Sequence, residues 1–246
     1  MIIDCYCTIG DERETVQTSE RLLQQMRASG VSRAVIAPQD REIAVRNRDG
    51  NDRMLSIASD HPAELVPACT ANPWFGNDAV NEMQRSVRAG AKMLVLAPAV
   101  QGFMLSDDLT DDLLNEAGKI RLPVYVHTGP QSHSAPSQLA LVAQKHQNTR
   151  FIMGHCGSTD HAWDMPSILH LKLPNLWFET SFVRPWVVTN YAAIAGDDRL
   201  IFGSSSPRND LRMELTHLKK HWPVAEHPAT YGQTLGDLLS EVIHDR

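Results

Sequence analysis

The 246-residue chain is predicted to fold as one closed, eight-stranded parallel (β/α)8 barrel. Three observations carry this. Eight short apolar runs rich in β-branched residues recur about 30 residues apart. Segments with helical apolar spacing alternate with them, which implies parallel strands joined by right-handed crossovers. Two successive runs, at residues 121–129 and 150–157, share one grammar: apolar residues, a histidine, then a glycine break. Eight units in one chain is the count of a closed barrel, with an open doubly wound sheet as the competitor. No Pro/Gly/Ser-rich linker interrupts the pattern, so residues 1–246 read as a single domain.

In chain order, residues 2–7 form the first strand and 8–17 an acidic loop. A helix opens at Thr18 or Ser19, presents Leu22, Leu23 and Met26 on one face, and ends at Gly30. The second strand is 34–38. A charged segment, 39–52, is long for a βα loop and reads as solvated helix or a cover over the barrel mouth. Helix 53–59 leads to the third strand, 65–69. Val80, Met83 and Val87 have helical spacing within 79–89. The fourth strand, 92–97, is stopped by Pro98. Helix 107–120 has acidic residues in its first turn, as the helix dipole favours. The fifth strand ends on His127, helix 136–146 follows, and the sixth strand ends on His155. Helix 164–171, strand 176–181, helix 187–195, a Gly196-Asp197-Asp198 turn and strand 199–203 complete the barrel. Segments 211–221 and 236–244 read as terminal helices.

Hydrophobic residues make up 42% of the chain, enough for a sizeable core, and the net charge is -6. With no basic run, nucleic acid is not the expected partner. No stretch approaches the ~20 apolar residues of a membrane span, and the N-terminus has no basic leader region, so no membrane association is expected. Cys5, Cys7, Cys69 and Cys156 fall in or beside strands. They read as buried free thiols of a reducing compartment, hence a cytoplasmic protein.

The apolar run Val124, Tyr125, Val126 places His127 at the C-terminal lip of its strand, where barrels carry their chemistry. His155 has the equivalent place one strand on. His133 and His161 fall in the loops after these strands. The remaining histidines, His146 among them, read as surface residues of helices or the tail. Trp74, Phe103, Phe182 and Trp186 line an apolar pocket or pack under the loops.

Five segments together resemble the amidohydrolase superfamily, in the branch that includes aminocarboxymuconate-semialdehyde decarboxylase. They are Ile2-Ile3-Asp4, 122–129 around His127, 151–157 around His155, 174–181, and 198–207 with its Gly203-Ser204-Ser205-Ser206-Pro207 turn. The resemblance implies a TIM barrel. It also implies a divalent metal, usually zinc, ringed by a His-x-His pair on strand one, histidines on strands five and six, and an aspartate on strand eight. Here Tyr6 and Thr8 stand in the pair and Ser205 replaces the aspartate. A lysine frequent on strand four of such proteins is also missing, with Val95 nearest. Mononuclear zinc catalysis normally uses three protein ligands and an open position. No metal ligand set and no cofactor is therefore expected, with a divalent ion such as zinc as the alternative.

Strand alternation would turn Asp4, Tyr6 and Thr8 inward and Cys5 and Cys7 outward. Glu179 with the two histidines would make a two-His-one-carboxylate set; the competing reading is a buried carboxylate paired with an arginine or tyrosine. Two functions follow. In one, the barrel is a metal-independent hydrolase, lactonase-like, acting on a small anionic or carbonyl-containing metabolite. His127 and His155 are then catalytic, and Tyr6, Thr8, Arg184 and Ser205 bind substrate. In the other it is a catalytically silent barrel. It would serve as a binding protein, as a homo-oligomer, or as the partner subunit of an intact related amidohydrolase.

Overall fold

The computed structural model describes residues 1–11, 15–129, 132–157 and 164–243. Within them, eight parallel strands follow one another in chain order. They are β1 (Ile3–Thr8), β2 (Arg33–Ala37), β3 (Leu65–Thr70), β4 (Met93–Leu96), β5 (Val124–Val126), β6 (Phe151–Met153), β7 (Leu176–Glu179) and β8 (Leu200–Ile201). The ring closes between β8 and β1. There the Cys5 N–H donates to Phe202 O at 3.0 Å, Ser205 N–H to Tyr6 O at 3.1 Å, and Thr8 N–H to Ser206 O at 2.8 Å. The chain is a single-domain (β/α)8 barrel.

Strand alternation sorts the core into two layers. Val35, Val66, Ala68, Met93, Val95, Tyr125, Ile152 and Ile201 fill the barrel interior. Ala34, Ile36, Leu65, Leu94, Val124, Phe151 and Phe202 face the helices. The helices bury the apolar stripes read from the sequence. Ser19–Ser29 buries Leu22, Leu23 and Met26, is capped by Thr18 Oγ1, and ends at Gly30 in the left-handed region (φ 73°).

Five local readings are refined or corrected. The 8–17 loop contains a small antiparallel pair, Gly10–Asp11 with Val16–Gln17. The charged 39–52 segment is mostly helical, in Asp40–Ala44 and Asn47–Asp60, and it buries Ile43, Asn47 and Asn51. The buried amides have partners: Asn51 exchanges two hydrogen bonds with the Thr70 backbone at 2.8 and 2.9 Å. Pro98 both stops β4 and starts a short helix, Pro98–Gln101. His146 is buried, its ring held by Asn115 at 2.9 Å and Asp111 at 3.0 Å.

The fifth correction is the outward placement of Cys5. A register shift between Asp4 and Cys7 sets three steps of β1 against two of β2. This bulge leaves Cys5 and Tyr6 both in the interior layer. Cys7 joins the outer layer. Asp4 is paired with Ala34, an outer-layer residue, so it turns toward the helices and not into the barrel. All four cysteines are free and buried. Among the described residues no helix is long and apolar enough to cross a membrane.

Candidate functional site

Each residue of the mouth is set by the end of its strand. β5 stops at Val126, and His127 follows with its N–H on Leu96 O at 2.9 Å. β6 stops at Met153, and the chain then turns through His155 at φ 60° and Cys156 at φ 49°. Phe182, just past β7, has φ 61°, and Ser205, past β8, has φ 58°. A left-handed backbone is uncommon in residues with a Cβ and costs on the order of 1–2 kcal/mol. Such conformations cluster where structure serves function.

The side chains form a contiguous set. Tyr6 stacks on Tyr125, with ring centroids 4.7 Å apart and planes 6° apart, and meets His127 edge-on at 4.7 Å. His127 Nδ1 and His155 Nε2 are 3.2 Å apart, in hydrogen-bond contact. His155 Nδ1 lies 2.7 Å from Ser181 Oγ, and the Ser181 hydroxyl donates to Glu179 Oε2 at 2.9 Å. Phe182 rests edge-on against His155 at 5.3 Å and is half exposed.

Glu179 is fully buried and accepts four hydrogen bonds. Tyr125 Oη donates at 2.9 Å, the His155 N–H at 3.0 Å, the Ser181 N–H at 2.6 Å and the Ser181 hydroxyl at 2.9 Å. All four of these partners are donors. Of the two readings for Glu179, the structure has the carboxylate paired with a tyrosine. Two glycines make room for Glu179 and its partner Tyr125. A Cβ on Gly203 would land on Glu179 Oε1, and a Cβ on Gly154 would come within 2.7 Å of Tyr125 Oη.

Burial holds the His127 imidazole well below its ordinary pKa, and the charges of His155 and Arg208 add to this. Burial also lowers His155, against an opposing pull from Glu179. Both rings are therefore neutral at pH 7. Tyr125 is pushed well up by burial and by Glu179, so its hydroxyl stays a donor.

Tyr6, His127 and His155 are brought into direct contact. Ser205 joins Tyr6 through its backbone, and its hydroxyl is buried with no hydrogen-bond partner among the described residues. Thr8 is buried and, opposite Ala37, faces the interior. Arg184 stands exposed ahead of the Pro185–Ala195 helix. His133 is partly exposed, and its carbonyl accepts from the Leu105 N–H. Phe103 is buried in the outer core, whereas Trp74 and Trp186 are exposed. His161 lies outside the described residues.

Sequence reasoning missed Tyr125, Ser181 and Arg208. Strand parity carried the first two: Tyr125 is two residues before His127, and Ser181 is two after Glu179. Arg208 had no such signal. It is ion-paired with Asp40, and its charge is felt by both histidines.

The resemblance read from the sequence implies a divalent metal. The 3.2 Å between the two imidazole nitrogens is slightly under the roughly 3.4 Å expected of two ligands about 2.1 Å from one tetrahedral ion. Among the described residues no third ligand joins them. Among the described residues no group of three or more His, Cys, Asp and Glu side chains could hold a metal. Both oxygens of Glu179 are occupied by hydrogen bonds. The described residues do not fit a catalytic metal with three protein ligands.

Comparison with solved structures finds the same fold at low identity. The 5-carboxyvanillate decarboxylase of Sphingomonas paucimobilis is 11% identical, with a TM-score of 0.81 over 97% of this chain and 98% of that one. The Novosphingobium aromaticivorans 5-carboxyvanillate decarboxylase, complexed with manganese and 4-hydroxy-3-methoxy-5-nitrobenzoic acid, is 14% identical. Its TM-score is 0.82 over 98% of this chain and 96% of that one. The 2,6-dihydroxybenzoate decarboxylase of Rhizobium is 14% identical, with a TM-score of 0.76 over 97% and 98%. No curated protein matches the chain. The sequence model of the family described as amidohydrolase matches residues 15–237. On that match, which spans most of the barrel, the chain belongs to the amidohydrolase family.

Proposed function

We propose that this barrel is a metal-independent hydrolase of small, anionic, carbonyl-containing metabolites, of which lactones are the model class, with His127 as general base. The observation that carries the reading is the neutral, hydrogen-bonded His127–His155 pair at the barrel mouth. A neutral imidazole accepts a proton from water. The water's O–H bond breaks as its oxygen bonds to the carbonyl carbon, and the carbonyl π pair moves onto oxygen. When that tetrahedral species collapses, the ring C–O bond breaks, and His127 returns its proton to the leaving alkoxide. Ser205, whose hydroxyl has no partner among the described residues, and Tyr6 orient the carbonyl. Thr8, at the C-terminal end of β1, is a further contact. Arg208, and Arg184 from the rim, favour an anionic ligand. The ligand in the Novosphingobium enzyme is itself a small carboxylate.

A second reading is favoured by Tyr6, Thr8 and Ser205, which stand where the family's metal ligands would be, Tyr6 stacked on Tyr125. It is a silent barrel that binds the same ligand class or serves as subunit of an intact relative. The test is a panel of lactones and carboxylated substrates offered to chelator-treated protein, with a ligand thermal-shift screen in parallel. Turnover that survives chelation and falls about 10²-fold or more in His127→Gln is the expected result. Ligand stabilisation without turnover would replace the hydrolase with the silent barrel. Activity that appears only with added manganese or zinc would overturn metal independence.

A further inference from the structure

We infer that Glu179, acting through Ser181, fixes the tautomers of both histidines and leaves His127 Nε2 as the bare, proton-accepting nitrogen of the site. Ser181 and Glu179 are then positioning residues, acting through the imidazoles without touching substrate.

A serine hydroxyl has one proton to give. Ser181 Oγ lies 2.9 Å from Glu179 Oε2 and 2.7 Å from His155 Nδ1. If the proton pointed at the imidazole, a hydroxyl lone pair would face a buried carboxylate already fed by three other donors. An uncompensated contact of that kind in a dry interior is costly. The proton therefore points at Glu179, and Ser181 Oγ can only accept. His155 must carry its proton on Nδ1. In the neutral ring Nε2 is then bare, and it faces His127 Nδ1 at 3.2 Å. Two bare nitrogens cannot share that contact, so His127 is protonated on Nδ1. Its Nε2 is left with the lone pair. The order Glu179, Ser181, His155, His127 thus runs from a buried charge to an acceptor at the mouth.

This gives the proposed base its orientation, so its purpose rests on the hydrolase reading, but its test does not. Two nitrogens sharing a metal would both be bare, which would put the His127 proton on Nε2 instead. The experiment is ¹⁵N spectroscopy of imidazole nitrogens in the full chain labelled at histidine, in neutral buffer. The expected spectrum has protonated-type Nδ1 and bare-type Nε2 signals for both residues. Ser181→Ala should convert part of His155 to the Nε2–H form, and Ser181→Thr should restore the original signals. The wild-type spectrum decides even if a variant fails to fold. A proton on His155 Nε2 or on His127 Nε2 would overturn the relay. The expected tautomers in a protein that turns over no substrate would leave the relay standing and remove the hydrolase.

Discussion

Asp4 is buried on the helix side of β1, where its Oδ1 accepts from the Ser204 N–H at 2.9 Å and the Tyr6 N–H at 3.3 Å. Its Oδ2 has no partner among the described residues. Burial outweighs the hydrogen bonds and pushes its carboxyl up to about 6. A raised carboxyl gives the fold a contribution that is complete below the unfolded value of 3.8 and is lost as pH rises through about 6. Asparagine keeps the Oδ1 acceptor and removes that loss. Asp4→Asn should therefore gain stability over the parent chain as pH rises, by roughly 3 kcal/mol at most. Urea unfolding of both chains at pH 4.5 and pH 7.5 checks this. A difference that stays constant between the two would show that Asp4 titrates normally. Glu214, raised to about 7 by burial first and the Glu179 charge second, has Asn209 and the Phe182 backbone beside it. A second protonating carboxyl thus sits between the β7 and β8 loops.

At the scale of the element, the loops after β6, β7 and β8 turn through left-handed residues, His155 with Cys156, Phe182 and Ser205, and two glycines leave room for large neighbours, Gly154 for Tyr125 and Gly203 for Glu179. The sequence carried the strands but not these conformations, because apolar runs report burial and not the turn that follows. The bulge in β1 was invisible for a related reason. All six residues of that strand are buried, so no polar face marked the extra residue and simple alternation sent Cys5 the wrong way. Gly203 is the element-level test. A methyl group there meets Glu179, which four hydrogen bonds hold in place. Gly203→Ala should destabilise the barrel by about 1–3 kcal/mol and disturb the His155 ring signals. Thermal unfolding together with the histidine spectrum checks both. Unchanged stability and spectrum would mean that Glu179 has room to move.

Over the whole molecule, the barrel was legible in full because eight repeats of one alternating pattern leave few topologies. Both mouth histidines were legible from their place after apolar runs. The rest of the site was legible only in part. Glu179 could be read as either a ligand or a buried partner, and only its neighbours across the barrel decide between the two. Arg208 lies in the loop after β8, and no local pattern records that its charge is felt at both histidines. The central claim is that these two imidazoles form a hydrogen-bonded base and not two ligands of an incomplete metal ring. Elemental analysis of the purified chain, beside its Tyr6→His, Thr8→His, Ser205→Asp triple variant, tests it most directly. The account predicts only substoichiometric zinc and manganese in the natural chain and a marked rise in the variant that restores the missing ligand types. One tightly held ion per natural chain, lost when His127 and His155 are replaced, would contradict it.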